Sequence, residues 1–165
     1  MNRATKLALA VAAVVVALDA ATKFLAVQLL SGEGRVDVLG GLFHLELYRN
    51  FAGPGGRFEG QVVLISIFTL TAVAALAFVA TRVRSASAAL AVGLLLGAGI
   101  GNGLDRLLRA PGPLEGGVVD WLQPTLDSGI MNLADLAINA AIVVVFVAAV
   151  VTWWRDRHRA AAART

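Results

Sequence analysis

The chain has 165 residues, of which 58 % are apolar and 15 % are charged, and its net charge is +3. A soluble domain is usually nearer half apolar and a quarter charged, so a chain of this size could not bury so much apolar surface in water. The basic residues lie mostly between and after long apolar runs, which argues against a nucleic-acid-binding surface. The absence of cysteine excludes disulfides, thiolate catalysis and Cys-based metal sites. The composition therefore indicates an integral membrane protein, and we expect no metal and no cofactor.

Four stretches have the length of about 20 mostly apolar residues that a bilayer-spanning helix needs. They cover about 7–30, 61–81, 87–108 and 132–154. The first follows Arg3 and Lys6, as the apolar core of a cleavable signal peptide would. It is, however, longer than a usual signal-peptide core, and it contains Asp19 and Lys23. We therefore expect it to be retained as a span.

The distribution of basic residues predicts the orientation of these spans. If the N-terminus lies inside, the inner segments hold eight basic residues and one acid, whereas the outer segments hold five basic residues and eight acids. The inner basic residues are Arg3, Lys6, Arg82, Arg84, Arg155, Arg157, Arg159 and Arg164. The outer acids are Glu33, Asp37, Glu46, Glu59, Asp105, Glu115, Asp120 and Asp127. Both termini are therefore predicted to be cytoplasmic.

The two outer loops, 31–60 and 109–131, are long. In the first, Phe43, Leu45 and Leu47 alternate with polar residues, and this period of two predicts a short strand or hairpin at the membrane surface. The second is rich in proline and glycine and is predicted to be a loop. We expect one domain over 1–165, an all-α membrane protein of four transmembrane helices with a small extracytoplasmic β-structured platform, acting as a monomer.

Charged residues inside the first span need an explanation, because a charge within a membrane helix costs about 2.5–3.5 kcal/mol on insertion scales. Asp19 and Lys23 are four residues apart, so they share a helix face and can pair. Two readings stay open. The pair either neutralises itself so that the helix can insert, or it directly supports an active site.

Polar residues also gather near the outer ends of the spans. Asn50 precedes Gly53 and is typical of a turn. Asn102 and Arg106 share a helix face in a glycine-rich run that permits close helix approach. They either line a site or belong to a packing helix whose end is tied by an Asp105–Arg106 interaction.

Two acids flank the start of the fourth span. Asp120 lies among apolar residues, where burial should raise its pKa, although it could also be a loop acid exposed to water. Asn132 can cap the fourth helix, with Asp135 near the positive end of the helix dipole. Both acids should lie at the same depth, near the outer leaflet. Two carboxylates in a water-poor site share a proton, so one can activate water while the other protonates a substrate.

Five short motifs follow one another in a specific order. They are Asp19-x-x-Thr22-Lys23, Asn50, Gly101-Asn102-x-x-Asp105-Arg106, Val119-Asp120-Trp121 and Asn132-x-Ala134-Asp135. In their order and spacing the chain resembles the bacterial lipoprotein signal peptidases, also called signal peptidase II, over nearly its whole length. The resemblance implies an aspartic endopeptidase of the bacterial plasma membrane, with Asp120 and Asp135 as the catalytic pair.

The same resemblance implies the substrate and the supporting residues. The substrates would be prolipoproteins whose cysteine already carries a diacylglyceryl group, cut immediately before that cysteine, and globomycin-type antibiotics would occupy the site. Seven further positions would line or brace it: Asn50, Asn102, Asp105, Arg106, Asn132, Asp19 and Lys23.

The chain departs from the family pattern after Asn50. The family usually has one residue and then Gly-Ala-Ala-Phe, whereas here Phe51-Ala52-Gly53-Pro54 follows. Milder changes are Trp121 and Met131, where phenylalanine is more usual. The altered segment after Asn50 leaves open that the chain is an inert relative that binds lipoprotein precursors without cutting them. A second alternative is a small transporter or proton-relay protein, since buried acids and a lysine also mark ion paths.

Overall fold

The structure is a computed structural model that describes residues 1–125 and 128–162. It contains four α-helices: α1 (Arg3–Leu30), α2 (Val62–Ala80), α3 (Ala86–Leu108) and α4 (Leu133–Ala162). Each is long and apolar enough to cross a membrane. Asp127 and Arg164, which were counted for the predicted orientation, lie outside the described residues.

Helix α3 is the centre of the bundle, with α1, α2 and α4 packed against it. Small residues of α3 allow the close approach of α1. A Cβ atom at Gly93 would lie 2.6 Å from the Ala8 carbonyl oxygen, and one at Gly97 would lie 2.7 Å from Cβ of Val15. Glycine at these positions brings the two backbones together, as in other membrane helix pairs. The core between the helices is accordingly built largely of alanine.

The outward faces of the helices are apolar, as lipid requires. Phe68 of α2 and Phe146 of α4 are 73 % and 67 % exposed in the isolated chain. Large apolar side chains pointing away from a protein are expected where the surrounding solvent is hydrocarbon. The fold-class prediction of a four-helix membrane protein is confirmed.

A small antiparallel sheet lies at one end of the bundle. Its strands are β1 (Val36–Val38), β2 (Phe43–Asn50) and β3 (Val118–Gln123), in the order β1-β2-β3. Strand β2 is the predicted strand, and it pairs with both neighbours. This sheet is the predicted β-structured platform.

Strand β3 corrects the prediction that 109–131 is a loop without strands. Its partners are distant in sequence: Asp120 pairs with Tyr48 and Val119 with Arg49, and the register shifts between Leu45 and Tyr48. No turn joins β2 to β3 locally, because α2 and α3 lie between them. Local pattern could not reveal a strand whose hydrogen-bond partners are about 70 residues away.

Candidate active site

Asp120 is buried at the end of the bundle, not exposed on a loop. It projects from β3 and is only 1 % exposed. Its Oδ2 accepts a hydrogen bond of 2.9 Å from Asn50 Nδ2, and its Oδ1 accepts one of 2.6 Å from Asn132 Nδ2. Burial raises the pKa of Asp120 to about 6. The charge of Asp135 contributes to this increase, and the two amide hydrogen bonds oppose it.

Asp135 lies in the first turn of α4, where it forms a reciprocal cap with Asn132. The backbone N–H of Asp135 donates to Asn132 Oδ1, and the backbone N–H of Asn132 donates to Asp135 Oδ2, both at 3.1 Å. This arrangement satisfies two N–H groups that a helix start leaves free. Asn102 Nδ2 also donates to Asp135 Oδ1 at 3.4 Å. The predicted cap exists, and it holds the carboxylate beside the other polar residues.

Two asparagine amides connect the two aspartates. Asn132 Nδ2 donates to Asp120 and also to Asn102 Oδ1, at 3.1 Å. Asn102 in turn donates to Asp135. Each amide therefore contacts an acid and its fellow amide. This chain of hydrogen bonds brings the two carboxylates into one cluster.

Lys23 joins this cluster to α1. Its Nζ lies 2.7 Å from Asp19 Oδ2 and 3.0 Å from Asp105 Oδ2, and it donates to Asn102 Oδ1 at 2.9 Å. Asp19 Oδ1 accepts the backbone N–H of Ala134 at 3.0 Å. The side chains of Lys23 and Asp19 are each 1 % exposed. The Asp19–Lys23 pair forms as the spacing predicts, and it also contacts α3 and α4, so it does more than neutralise α1.

The expected contact between Asp105 and Arg106 is wrong, because neighbouring helical residues point in different directions. Asp105 instead pairs with Arg109, one turn later, and with Lys23, and it accepts the backbone N–H of Val119. Arg106 Nη1 donates to the carbonyl oxygens of Asn50 and Gly116, each at 3.0 Å. Arg106 thereby fixes the end of β2, and hence the amide of Asn50, beside Asp120.

Arg109 and Ser66 were not predicted to belong to this network. Ser66 Oγ donates to the carbonyl oxygen of Leu114 at 2.6 Å, which ties α2 to the segment before β3. Asp105 and Arg109 are four residues apart, and this spacing could have predicted their ion pair. No local sequence pattern predicts the hydrogen bond between Ser66 and Leu114. Within the described residues, no group of three histidine, aspartate or glutamate side chains could hold a metal ion.

Four membrane-spanning helices, with the buried Asp120 and the partly buried Asp135 at one end, define a multi-pass membrane protein with a candidate aspartate-pair site. Comparison with known proteins gives the family. The family model described as "Signal peptidase (SPase) II" matches residues 11–151. The chain belongs to the signal peptidase II family, a family of membrane peptidases.

Named relatives agree with this membership. The chain is 34 % identical over 139 residues to the "Lipoprotein signal peptidase" of Streptomyces griseus, a match covering 84 % of this chain and 70 % of that protein. It is 44 % identical over 131 residues to the protein of the same name from Leifsonia xyli, covering 78 % of this chain and 59 % of that protein. The chain therefore spans about 59–70 % of the length of these relatives.

Two solved structures share the fold. Both are described as bacterial membrane enzyme structures, determined by the in meso method. One has a TM-score of 0.72 at 22 % identity, covering 87 % of each chain. The other has a TM-score of 0.71 at 23 % identity, covering 86 % of this chain and 90 % of the other. The resemblance inferred from the motifs is thus confirmed at the level of family and fold.

Proposed function

We propose that this chain is an aspartic endopeptidase that removes the signal peptide from diacylglyceryl-modified prolipoproteins, cutting immediately before the lipidated cysteine. The observation that carries the proposal is the pair Asp120 and Asp135, held in one hydrogen-bonded cluster by the amides of Asn50, Asn102 and Asn132. The names of the relatives support the substrate class. Residues 1–165 would act as one peptidase domain.

The chemistry follows from a carboxylate pair that shares one proton. Asp120, whose pKa is raised to about 6, holds a proton more readily than an exposed aspartate. The ionised member of the pair takes a proton from water, and the resulting hydroxide attacks the carbonyl carbon before the cysteine. The protonated member donates to the carbonyl oxygen. The tetrahedral intermediate then collapses, and the cysteine amine leaves with a proton from the pair. Which aspartate begins protonated is a property of the coupled pair.

The supporting residues keep the two acids in place. Asn50 and Asn132 each donate to one oxygen of Asp120, so the carboxylate has a fixed orientation before substrate arrives. The altered sequence after Asn50 keeps this contact. Asn50 Oδ1 also accepts the backbone N–H of Ala52 at 3.1 Å. This local hydrogen bond argues against the inert-relative alternative.

We further propose that both termini are cytoplasmic and that the site lies near the outer leaflet. The excess of basic residues at the opposite end of the bundle supports this orientation. The transporter alternative is disfavoured by the position of the polar cluster, because a transporter is expected to hold its substrate near the middle of the membrane. Here the cluster lies where α3 ends, α4 begins and the sheet covers the bundle.

The test is a cleavage assay with purified protein in detergent and a diacylglyceryl-modified prolipoprotein. Asp120→Asn and Asp135→Asn should each abolish cleavage, and globomycin should inhibit the wild type. The matched control is Asp37→Asn, which changes an exposed aspartate of the platform and should leave cleavage intact. A fully active Asp120→Asn or Asp135→Asn variant would rule out the pair. A wild type that binds the precursor without cutting it would establish the inert relative.

A further inference from the structure

One arginine at the outer end of the bundle has no partner. Within residues 1–125 and 128–162, the side chain of Arg49 makes no hydrogen bond and no ion pair. It is nevertheless partly buried. Burial and, after it, the charge of Arg109 lower its pKa, and the charge of Asp105 opposes this decrease. A cation placed beside another cation at a partly dry position is unfavourable unless an anion joins them.

The acid whose charge acts on Arg49 is Asp105, and it already pairs with Lys23 and Arg109. Asp19 and Asp105 are balanced by Lys23 and Arg109. A shared proton leaves the pair Asp120 and Asp135 with one negative charge, which Arg106 balances. Arg49 is then left with an uncompensated positive charge. The backbone brings Arg49 to this place, because its partner across the sheet is Val119, whose N–H donates to Asp105.

Arg109 offers further donors at the same place. Its Nε pairs with Asp105, and its two Nη groups make no hydrogen bond to a described residue. The side chain is 31 % exposed. Guanidinium groups are well suited to binding phosphate, because they present several N–H donors in one plane. The two arginines therefore form a cationic rim with free donors.

A groove runs from Arg109 into the membrane between α1 and α3. Its volume is about 310 Å³. Its walls are mostly apolar and include Val16, Ala20, Leu104 and Leu108, while the buried Lys23 contributes to its base. The eight-residue rise from Gly101 to Arg109 gives the groove a depth of about 12 Å. That depth matches the upper half of an acyl chain.

We propose that this groove binds one anionic phospholipid, with its phosphate between Arg49 and Arg109 and the start of one acyl chain between α1 and α3. Charge complementarity identifies the ligand, since a basic rim above an apolar groove at a membrane surface fits a lipid phosphate. The proposed protein substrate carries a neutral diacylglyceryl group, which would leave Arg49 uncompensated. The inference stands independently of the proposed peptidase activity, because binding can be measured without cleavage.

The experiment is native mass spectrometry of the full chain in detergent, titrated separately with phosphatidylglycerol, phosphatidylcholine and inorganic phosphate. Wild type should retain one phosphatidylglycerol under conditions that remove phosphatidylcholine. Losing a charge-assisted hydrogen bond should make Arg49→Gln bind phosphatidylglycerol about tenfold more weakly. The matched control is Arg35→Gln, which removes an exposed platform arginine, 45 % exposed, and should bind as wild type does.

A second pair of variants tests the groove without changing a charge. Ala20→Phe should fill it and reduce phosphatidylglycerol binding, and the smaller Ala20→Leu should have a weaker effect if the larger side chain prevents folding. Equal retention of the two lipids would overturn the proposal, as would wild-type binding by Arg49→Gln. Two further results would refute the proposal, because each would show a phosphate site that does not use the groove. One is displacement of phosphatidylglycerol by equimolar inorganic phosphate, and the other is unchanged phosphatidylglycerol binding by both Ala20 variants.

Discussion

Replacing Asp120 by asparagine should change how the stability of the protein depends on pH. Because the pKa of Asp120 is raised from 3.8 to about 6, the folded state favours the protonated acid. The stability that this preference contributes is fully present below pH 3.8, and it is lost as pH rises through 6. Asparagine does not titrate, so Asp120→Asn should lack this dependence.

The change in the free energy of unfolding follows from the increase in the pKa of Asp120. The pKa rises from 3.8 to about 6, and at about 1.36 kcal/mol for each pKa unit this corresponds to about 3 kcal/mol. Asparagine also places an NH2 group against one of the amide donors from Asn50 and Asn132, which costs about 1–3 kcal/mol at every pH. That cost is constant, so it cancels when the difference between variant and wild type is compared at two pH values.

The assay is the free energy of unfolding of wild type and Asp120→Asn in the same detergent, at pH 4, 6 and 8. Relative to wild type, the variant should gain up to about 3 kcal/mol between pH 4 and pH 8. Asp156→Asn, at an exposed carboxylate of α4, should change stability by less than about 0.5 kcal/mol throughout. A constant difference between wild type and Asp120→Asn would refute the reasoning, because burial would then not disfavour the ionised acid.

Three further predictions follow from the same cluster. Gly101→Ala should lower the free energy of unfolding by about 1–3 kcal/mol, because its Cβ would overlap Oδ2 of Asp19. Gly103→Ala, where the nearest neighbour is an ordinary 3.5 Å away, should raise stability by up to about 1 kcal/mol; equal effects would contradict the packing argument. Lys23→Met should destabilise by about 3–5 kcal/mol, because it leaves the buried carboxylate of Asp19 without its cation, whereas the exposed Lys6→Met should change little in the same unfolding assay. The cleavage rate should fall about tenfold per pH unit well above pH 6 as the aspartate pair loses its shared proton, and a rate that rises through this range would exclude a shared-proton mechanism.

The spans were predictable because hydrocarbon imposes a simple rule on sequence. A helix that crosses a membrane must be apolar for about 20 residues, so the exceptions stand out. Asp19 and Lys23 could be selected on this ground alone. Strand β2 was also predictable, since Phe43, Leu45 and Leu47 alternate with polar residues. Strand β3 was not, because its pairing depends on a segment on the far side of two helices.

Single motifs could not distinguish a structural role from a chemical one. The order Asn132-x-x-Asp135 predicts a helix cap, and the structure contains that cap. The same asparagine side chain also donates to Asp120. The partners of Arg106 are two backbone carbonyls, and because every residue has a carbonyl group, the sequence does not show which ones Arg106 binds. Contacts of this kind become visible only when the chain is folded.

The hydrogen bonds around Asp120 and Asp135 join the earliest and latest parts of the chain. Asp19 binds the backbone of Ala134 across 115 positions, and Asn50 binds Asp120 across 70. A nascent chain that is inserted from its N-terminus therefore lacks one of the two acids until α4 enters the bilayer. With the pair as its catalytic centre, each newly made molecule stays inactive until α4 is in place.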